Sequence, residues 1–177
     1  ELVDLCHERN VKLILDLAIN HTSSKQEWFV QFKEARMNGD TANEYYDYYT
    51  CVTTAEKQGG VQYQKIAGVD AWYECNFSGD MPELNFDNPK VREAMLAVAK
   101  HYLALGVDGF RFDAVKYIYY GDTEKSVAFW EWYMEELRKI KFIRLSMNEA
   151  AEKLAQRIIE KKILTRKSLD DCHHIAV

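Results

Sequence analysis

The sequence has no excess of positive charge: 23 Lys and Arg stand against 28 Asp and Glu, a formal net charge of -5. That removes the electrostatic case for nucleic acid or an anionic membrane as the main partner and leaves a neutral small molecule as the better fit. Paired cysteines are missing too. Cys6, Cys51, Cys75 and Cys172 stand far apart and form no C-x-x-C, so metal or redox use has no spacing behind it and buried thiols are the plainer reading. No apolar run approaches about 18 residues and no basic, apolar, small-residue leader opens the chain, so neither a transmembrane helix nor a signal peptide is visible. The chain opens on Glu1 rather than Met, which leaves room for a removed leader and leaves the compartment open between cytoplasm and secretion. What is there, 47% hydrophobic and 29% charged over 177 residues, is the composition of a soluble globular protein of one domain's length.

Residues 1–10 read as the end of an amphipathic helix with Leu2, Leu5 and Cys6 on one side and Asn10 as its C-cap. The apolar run 11–16 has strand length, and its bulk predicts a strand buried on both faces. Residues 20–87 turn polar and aromatic, with Tyr45, Tyr46, Tyr48 and Tyr49 clustered and Gly59-Gly60 marking a turn. So long a stretch between core elements predicts a small inserted subdomain rather than a bare loop. The tyrosines fit its packing, with a stacking platform for rings as the alternative. Asn88-Pro89 then predicts a helix start, with Asn88 capping and proline where its missing N–H costs nothing. Val91, Met95, Val98, Ala99 and Tyr102 supply a core stripe, and Gly106 ends the helix. Residues 107–113 predict a second strand and 126–141 a second helix, with Phe129, Tyr133 and Leu137 on one face. This βαβα order implies parallel strands in an α/β sheet or barrel.

In the second strand, alternation sends Gly109, Arg111 and Asp113 to one face and Asp108, Phe110 and Phe112 to the other. In a barrel wall the phenylalanines would pack on outer helices, leaving Arg111 and Asp113 inside at the strand's C-terminal end, where barrel enzymes carry their chemistry. An arginine beside a carboxylate favours its ionised form, the form that nucleophilic attack at a sugar C1 requires. Asp16 ends the first strand in the same way and is followed by Asn20-His21, so both clusters would line one mouth. Asp16 could bond loop backbone or Arg111. Asn20 could offer its carbonyl to a cation or cap the turn, and His21 could donate to a hydroxyl.

Asp16-Leu17-Ala18-Ile19-Asn20-His21 resembles the first signature of the α-amylase superfamily (glycoside hydrolase family 13). Gly109-Phe110-Arg111-Phe112-Asp113-Ala114-Val115-Lys116 resembles its second, and Met81-Pro82-Glu83-Leu84-Asn85 looks like a further signature at the end of the inserted subdomain. The resemblance covers residues 1 to about 141. It implies part of a (β/α)8 TIM barrel, third strand to fourth helix, with the inserted subdomain at about 22–82. It makes Asp113 the nucleophile, Arg111 its partner, His21 a contact to the sugar in the cleavage subsite and Asp16 a support that joins substrate binding. Lys116 would help the acceptor subsite, although Tyr117 stands where many members have His. Asn20 would be a candidate calcium ligand. No cofactor is required by the reaction, and calcium is the one the resemblance allows. The implied partner is an α-glucan or maltooligosaccharide, with no nucleic acid and no membrane. The form Met-Pro-Glu-Leu-Asn hints at members between oligo-1,6-glucosidases and neopullulanases.

A retaining glycosidase needs a second carboxyl about 5 Å from the nucleophile as acid/base. Glu149 lies at the right distance along the chain, but Leu145-Ser146-Met147-Asn148 before it is no apolar strand. Ser146 to Glu149 fits a capping box, so Glu149 is rejected as the acid. Beyond Lys141 the composition changes, and of the aromatic residues only Phe142 lies there. Residues 142–177 read as an unrelated tail of two helices, the second starting near Ser168. The tail, above all Lys167-Ser168-Leu169-Asp170-Asp171-Cys172-His173-His174-Ile175-Ala176, is similar to the late part of a PIN-domain nuclease, which would make Asp171 a metal ligand. One carboxylate builds no two-metal site. The expectation is therefore a fragment of a retaining α-glucan-active hydrolase, inactive as this chain. The alternatives are a non-catalytic α-amylase-like binding module or subunit and a PIN-type metal-dependent nuclease fragment.

Overall fold

A computed structural model describes residues 1–140 and 174–176 of the chain. They form two compact units, one from Glu1–Ile19 together with the chain from Ala94 onward, the other from Asn20–Glu93.

The first unit is α/β. Helix α1 (Leu2–Glu8) leads into strand β1 (Ile14–Leu17), and helix α3 (Pro89–Ala104) precedes strand β5 (Gly109–Asp113) and helix α4 (Thr123–Ile140). Strands β1 and β5 pair in parallel, Ile14 opposite Gly109 through Leu17 opposite Phe112. Asn10 stands one position past the Arg9 C-cap at φ +55, with its N–H on His7 O and that of Val11 on Cys6 O. That is the left-handed stop that asparagine tolerates. Asn88 Oδ1 accepts from Lys90 N at 3.0 Å, so α3 starts at its proline as the sequence predicts. Helix α4 starts earlier than the pattern indicates, because Asp122 Oδ1 accepts from Lys125 N at 2.9 Å and supplies the cap.

The register of β1 on β5 is fixed just before the pair begins. Asp108 Oδ2 accepts from Leu13 N at 2.9 Å and pairs with His7 Nε2 at 2.7 Å, while Asp108 N donates to Leu13 O. Phe110 and Phe112 are buried, and Phe112 packs on Trp130 and Tyr133 of α4 at 5.0 and 5.6 Å between ring centroids. Tyr133 is fully buried and donates its hydroxyl hydrogen to Met95 O at 2.9 Å, tying α4 to α3. A phenol can be buried at this depth because its one polar atom is paired.

Three expectations are corrected. Strand β1 is not buried on both faces: Ile14 is 51% exposed. Among the described residues β1 has one neighbouring strand, β5. Leu2 and Leu5 are exposed as well, since α1 buries no residue. Residues 174–176, expected in a helix, form strand β6 (His174–Ala176), which pairs antiparallel with the second edge of β5. An open strand edge offers unpaired N–H and C=O groups that a short segment satisfies without helical continuity. The capping box at Ser146, Glu149 and the tail helix start near Ser168 lie outside the described residues.

The second unit holds helix α2 (Glu27–Asn38) and a small antiparallel sheet of β2 (Cys51–Val52), β3 (Tyr63–Lys65) and β4 (Trp72–Glu74) in the order β2-β4-β3. Gln26 caps α2 through its side-chain oxygen on Trp28 N, and Gly39 closes it at φ +66. Phe29 and Phe32 from α2 meet Tyr49 at 5.0 and 5.2 Å, and Phe29 meets Tyr73 at 4.9 Å. Tyr48 and Tyr49 are buried, Tyr45 packs on Tyr48, and Arg36 lies over the Tyr46 ring at 3.9 Å. Tyr48 and Tyr49 thus belong to this unit's interior, with Tyr45 and Tyr46 half-buried at its margin.

Candidate functional site

In the first unit the parallel β1–β5 pair puts Asp16 opposite Arg111, and Asp113 follows Arg111 on the same face of β5. The guanidinium bonds both carboxylates: Nη1 donates to Asp16 Oδ2, and Nη2 to Asp113 Oδ1 at 3.5 Å. The side chains are 35% exposed for Arg111, 59% for Asp16 and 46% for Asp113, so the cluster is a wet, addressable group and not a buried core ion pair. A planar fork that holds two carboxylates at once fixes their direction better than a lysine could. Of the two partners open to Asp16 in the sequence, Arg111 is the one it takes.

The chain leaves β5 through Ala114, whose φ of +55 is a left-handed conformation that a non-glycine residue adopts at a cost. A single 3-10 turn, Val115–Tyr117, follows and carries Lys116, its ammonium 5.2 Å from the Tyr117 ring centroid. Tyr117 in turn lies flat on Tyr120 at 5.1 Å and 6°.

Asn20 and His21 belong to the second unit, where a bridge between His21 and Glu83 and the bond from Leu84 N to Asn20 O join them to the 82–85 segment. Asn20 is 1% exposed and Glu83 2%. Asn20 Nδ2 donates to Glu83 Oε2 at 3.0 Å, and Asn20 Oδ1 stands 3.0 Å from His21 Nδ1. An amide oxygen only accepts, so Nδ1 carries the hydrogen.

Glu83 carries no role in the sequence pattern alone. It sits in the Met81-Pro82-Glu83-Leu84-Asn85 run, where a charge between proline and leucine is the one local signal. Its Oε1 is buried without a hydrogen-bond partner. Burial, reinforced by the nearby Glu74 carboxylate, pushes its carboxyl up to about 8. Burial likewise raises Glu74, which accepts from the Asn76 amide. A carboxamide oxygen and an orphaned buried carboxyl oxygen are hard donors of the kind calcium takes, although it takes roughly six to eight of them. Among the described residues no three His, Cys, Asp or Glu side chains converge as a metal-binding group. Asp171 lies outside those residues.

A family model described as alpha amylase, catalytic domain, matches residues 1–168, running past the compositional change at Lys141. Alpha-amylase 3 of Dictyoglomus thermophilum is 43% identical over 141 residues, 79% of this chain and 26% of that protein. The oligo-1,6-glucosidase of Bacillus cereus is 38% identical over 129 residues, 67% of this chain and 22% of that enzyme. Among solved structures, Eubacterium rectale Amy13B aligns at a TM-score of 0.71 and 30% identity over 81% of this chain and 28% of that one. The chain spans about a quarter of the length of these relatives. No helix among the described residues is long and apolar enough to cross a membrane.

Proposed function

The chain belongs to the α-amylase catalytic-domain family, and on that footing we propose that it forms part of a retaining, α-glucan-active glycoside hydrolase. The observation that carries this is the Arg111 guanidinium shared between Asp16 and Asp113 at the ends of two parallel strands. In this reading β1 and β5 are the third and fourth strands of an eight-stranded barrel, which takes about 250 residues to close. Asp113 attacks the sugar C1 and forms a glycosyl ester. Arg111 holds the attacking oxygens in place, and Asp16 anchors the far side of the guanidinium. His21 contacts a sugar hydroxyl and Lys116 serves the acceptor side. Calcium, when bound, would be held by Asn20 Oδ1 and Glu83 Oε1, where it would brace the loop behind His21.

The leaving oxygen must take a proton from a second carboxyl about 5 Å from the nucleophile. Asp16 is committed to Arg111, and no other described carboxyl is assigned that role. The 177-residue chain is therefore expected to bind maltooligosaccharides without hydrolysing them. Reducing-sugar release by the purified chain is the measurement. Turnover that Asp113→Asn abolishes overturns the inactivity, and no binding of maltotriose by calorimetry overturns the glucan assignment.

A further inference from the structure

In the first unit, one side chain of α4 takes hold of the chain on both sides of Asp113. The Trp130 ring lies 5.0 Å from that of Phe112, one residue before the carboxylate, and its Nε1 donates to Val115 O at 3.0 Å, two residues after it. The indole is backed in turn by Phe129 at 5.3 Å and Tyr133 at 5.9 Å, both buried. Ala114 and Val115 are buried as well, so the stretch that leaves β5 runs through the interior of the unit.

The parallel register with β1 ends at Phe112, one residue short of Asp113, while β6 opposes Asp113 from the other edge. The next residue, Ala114, stands at φ +55, a conformation that persists in an alanine only where its surroundings impose it. Two bonds impose it here: Tyr117 N donates to Ala114 O at 2.9 Å, and the indole takes Val115 O. Because Phe112 and Asp113 point to opposite faces of the strand, the indole grips from behind and leaves the carboxylate face clear. An attacking oxygen must meet the reacting carbon in line, and a misplacement of about 1 Å can lower the rate on the order of a hundredfold.

We infer that Trp130 is a positioning residue for Asp113: it sets the backbone at residues 112–115 and with it the direction in which the carboxylate points. This rests on the reading above in which Asp113 attacks the sugar C1, and adds the side chain that aims the attack.

Labelling of the 177-residue chain by α-glucosyl fluoride tests it, because this leaving group needs no acid. An Asp113 oxygen forms its bond to C1 as the C1–F bond breaks, and fluoride departs with the bonding pair and without a proton. With no described carboxyl assigned to activate water, the glycosyl ester accumulates and is read by mass spectrometry. In Trp130→Phe, which loses the Nε1 bond, the limiting rate of labelling should fall about tenfold, while the glucosyl fluoride concentration at half that rate stays within about twofold. Tyr133→Phe is the control: it loses one hydrogen bond from the same helix, to Met95 O, and leaves the Val115 bond in place. Its unfolding midpoint should drop by a similar amount with labelling unchanged. Should Trp130→Phe fail to fold, Trp130→benzothienylalanine carries the test, since sulfur stands where the N–H was and the ring keeps its volume. Labelling of Trp130→Phe at the parent's rate overturns the inference and leaves Asp113 as nucleophile. Equal slowing in Tyr133→Phe also overturns it, because any loosening of α4 would then suffice. A parent chain that takes no label, or takes as much in Asp113→Asn, overturns the nucleophile reading and this inference with it.

Discussion

Replacing Tyr49 by phenylalanine should change sign in its effect on stability between neutral and alkaline pH. Tyr49 is fully buried between Phe29 and Phe32, and its hydroxyl pairs with Thr22 Oγ1 at 2.7 Å. At pH 7 the phenol is neutral in both folded and unfolded chains, and the substitution removes one hydrogen bond at almost constant volume. The expected loss is about 1 kcal/mol. Burial pushes the folded phenol from 10.0 up to about 12, against the smaller opposing influence of the Thr22 bond. Below pH 10 both states hold the proton and stability is unaffected. Above it the unfolded chain releases its proton first, so stability falls as pH rises until the folded phenol also ionises near 12. At roughly 1.4 kcal/mol for each pH unit between the two values, the parent loses about 3 kcal/mol that Tyr49→Phe does not. The variant should therefore be about 1 kcal/mol less stable at pH 7 and about 2 kcal/mol more stable near pH 12. Guanidinium unfolding of both chains across pH 7 to 12 gives the difference directly, with phenolate absorbance reporting ionisation. Curves that stay parallel across the range would refute the reasoning, since they would mean that burial does not hold the proton on Tyr49.

Substitutions at two further positions probe the surroundings of the candidate site. Asn20→Ala removes the hydrogen bond that the amide makes to buried Glu83 Oε2, and should destabilise the chain by about 2–3 kcal/mol in urea unfolding; a loss below about half a kcal/mol would mean the pair is not formed. Ala114→Gly removes the steric cost of φ +55 at the exit of β5, so its unfolding midpoint should hold or rise by up to about 1 kcal/mol in stability, whereas Ala114→Val should fall by more than that.

The site was legible where its pattern is local. A period of two along five residues is enough to separate Phe110 and Phe112 from Arg111 and Asp113, and the burial of β5 follows it. The cap at Asn88 and the stop at Asn10 were legible for the same reason, because each depends on backbone within a few residues. Helix α2 was missed inside a long polar stretch. Its apolar contacts, Phe29 and Phe32, read as helical once Gln26 and Gly39 are seen as its ends. The burial of Glu83 and the exposure of Ile14 had no local cue. Each depends on what a distant segment covers, and residues 20 and 83 or strands β1 and β5 are far apart along the chain.

The sequence by itself determined the family, the α/β order of the first unit and the face on which Arg111 and Asp113 stand, because short-range periodicity and ordered motifs carry that information. Only the tertiary structure decided that Asp16 takes Arg111 as its partner, that Tyr48 and Tyr49 belong to an interior and that Glu83 is sealed beside Asn20. Each of those depends on the distance between segments remote along the chain, a quantity that folding sets and local composition does not encode.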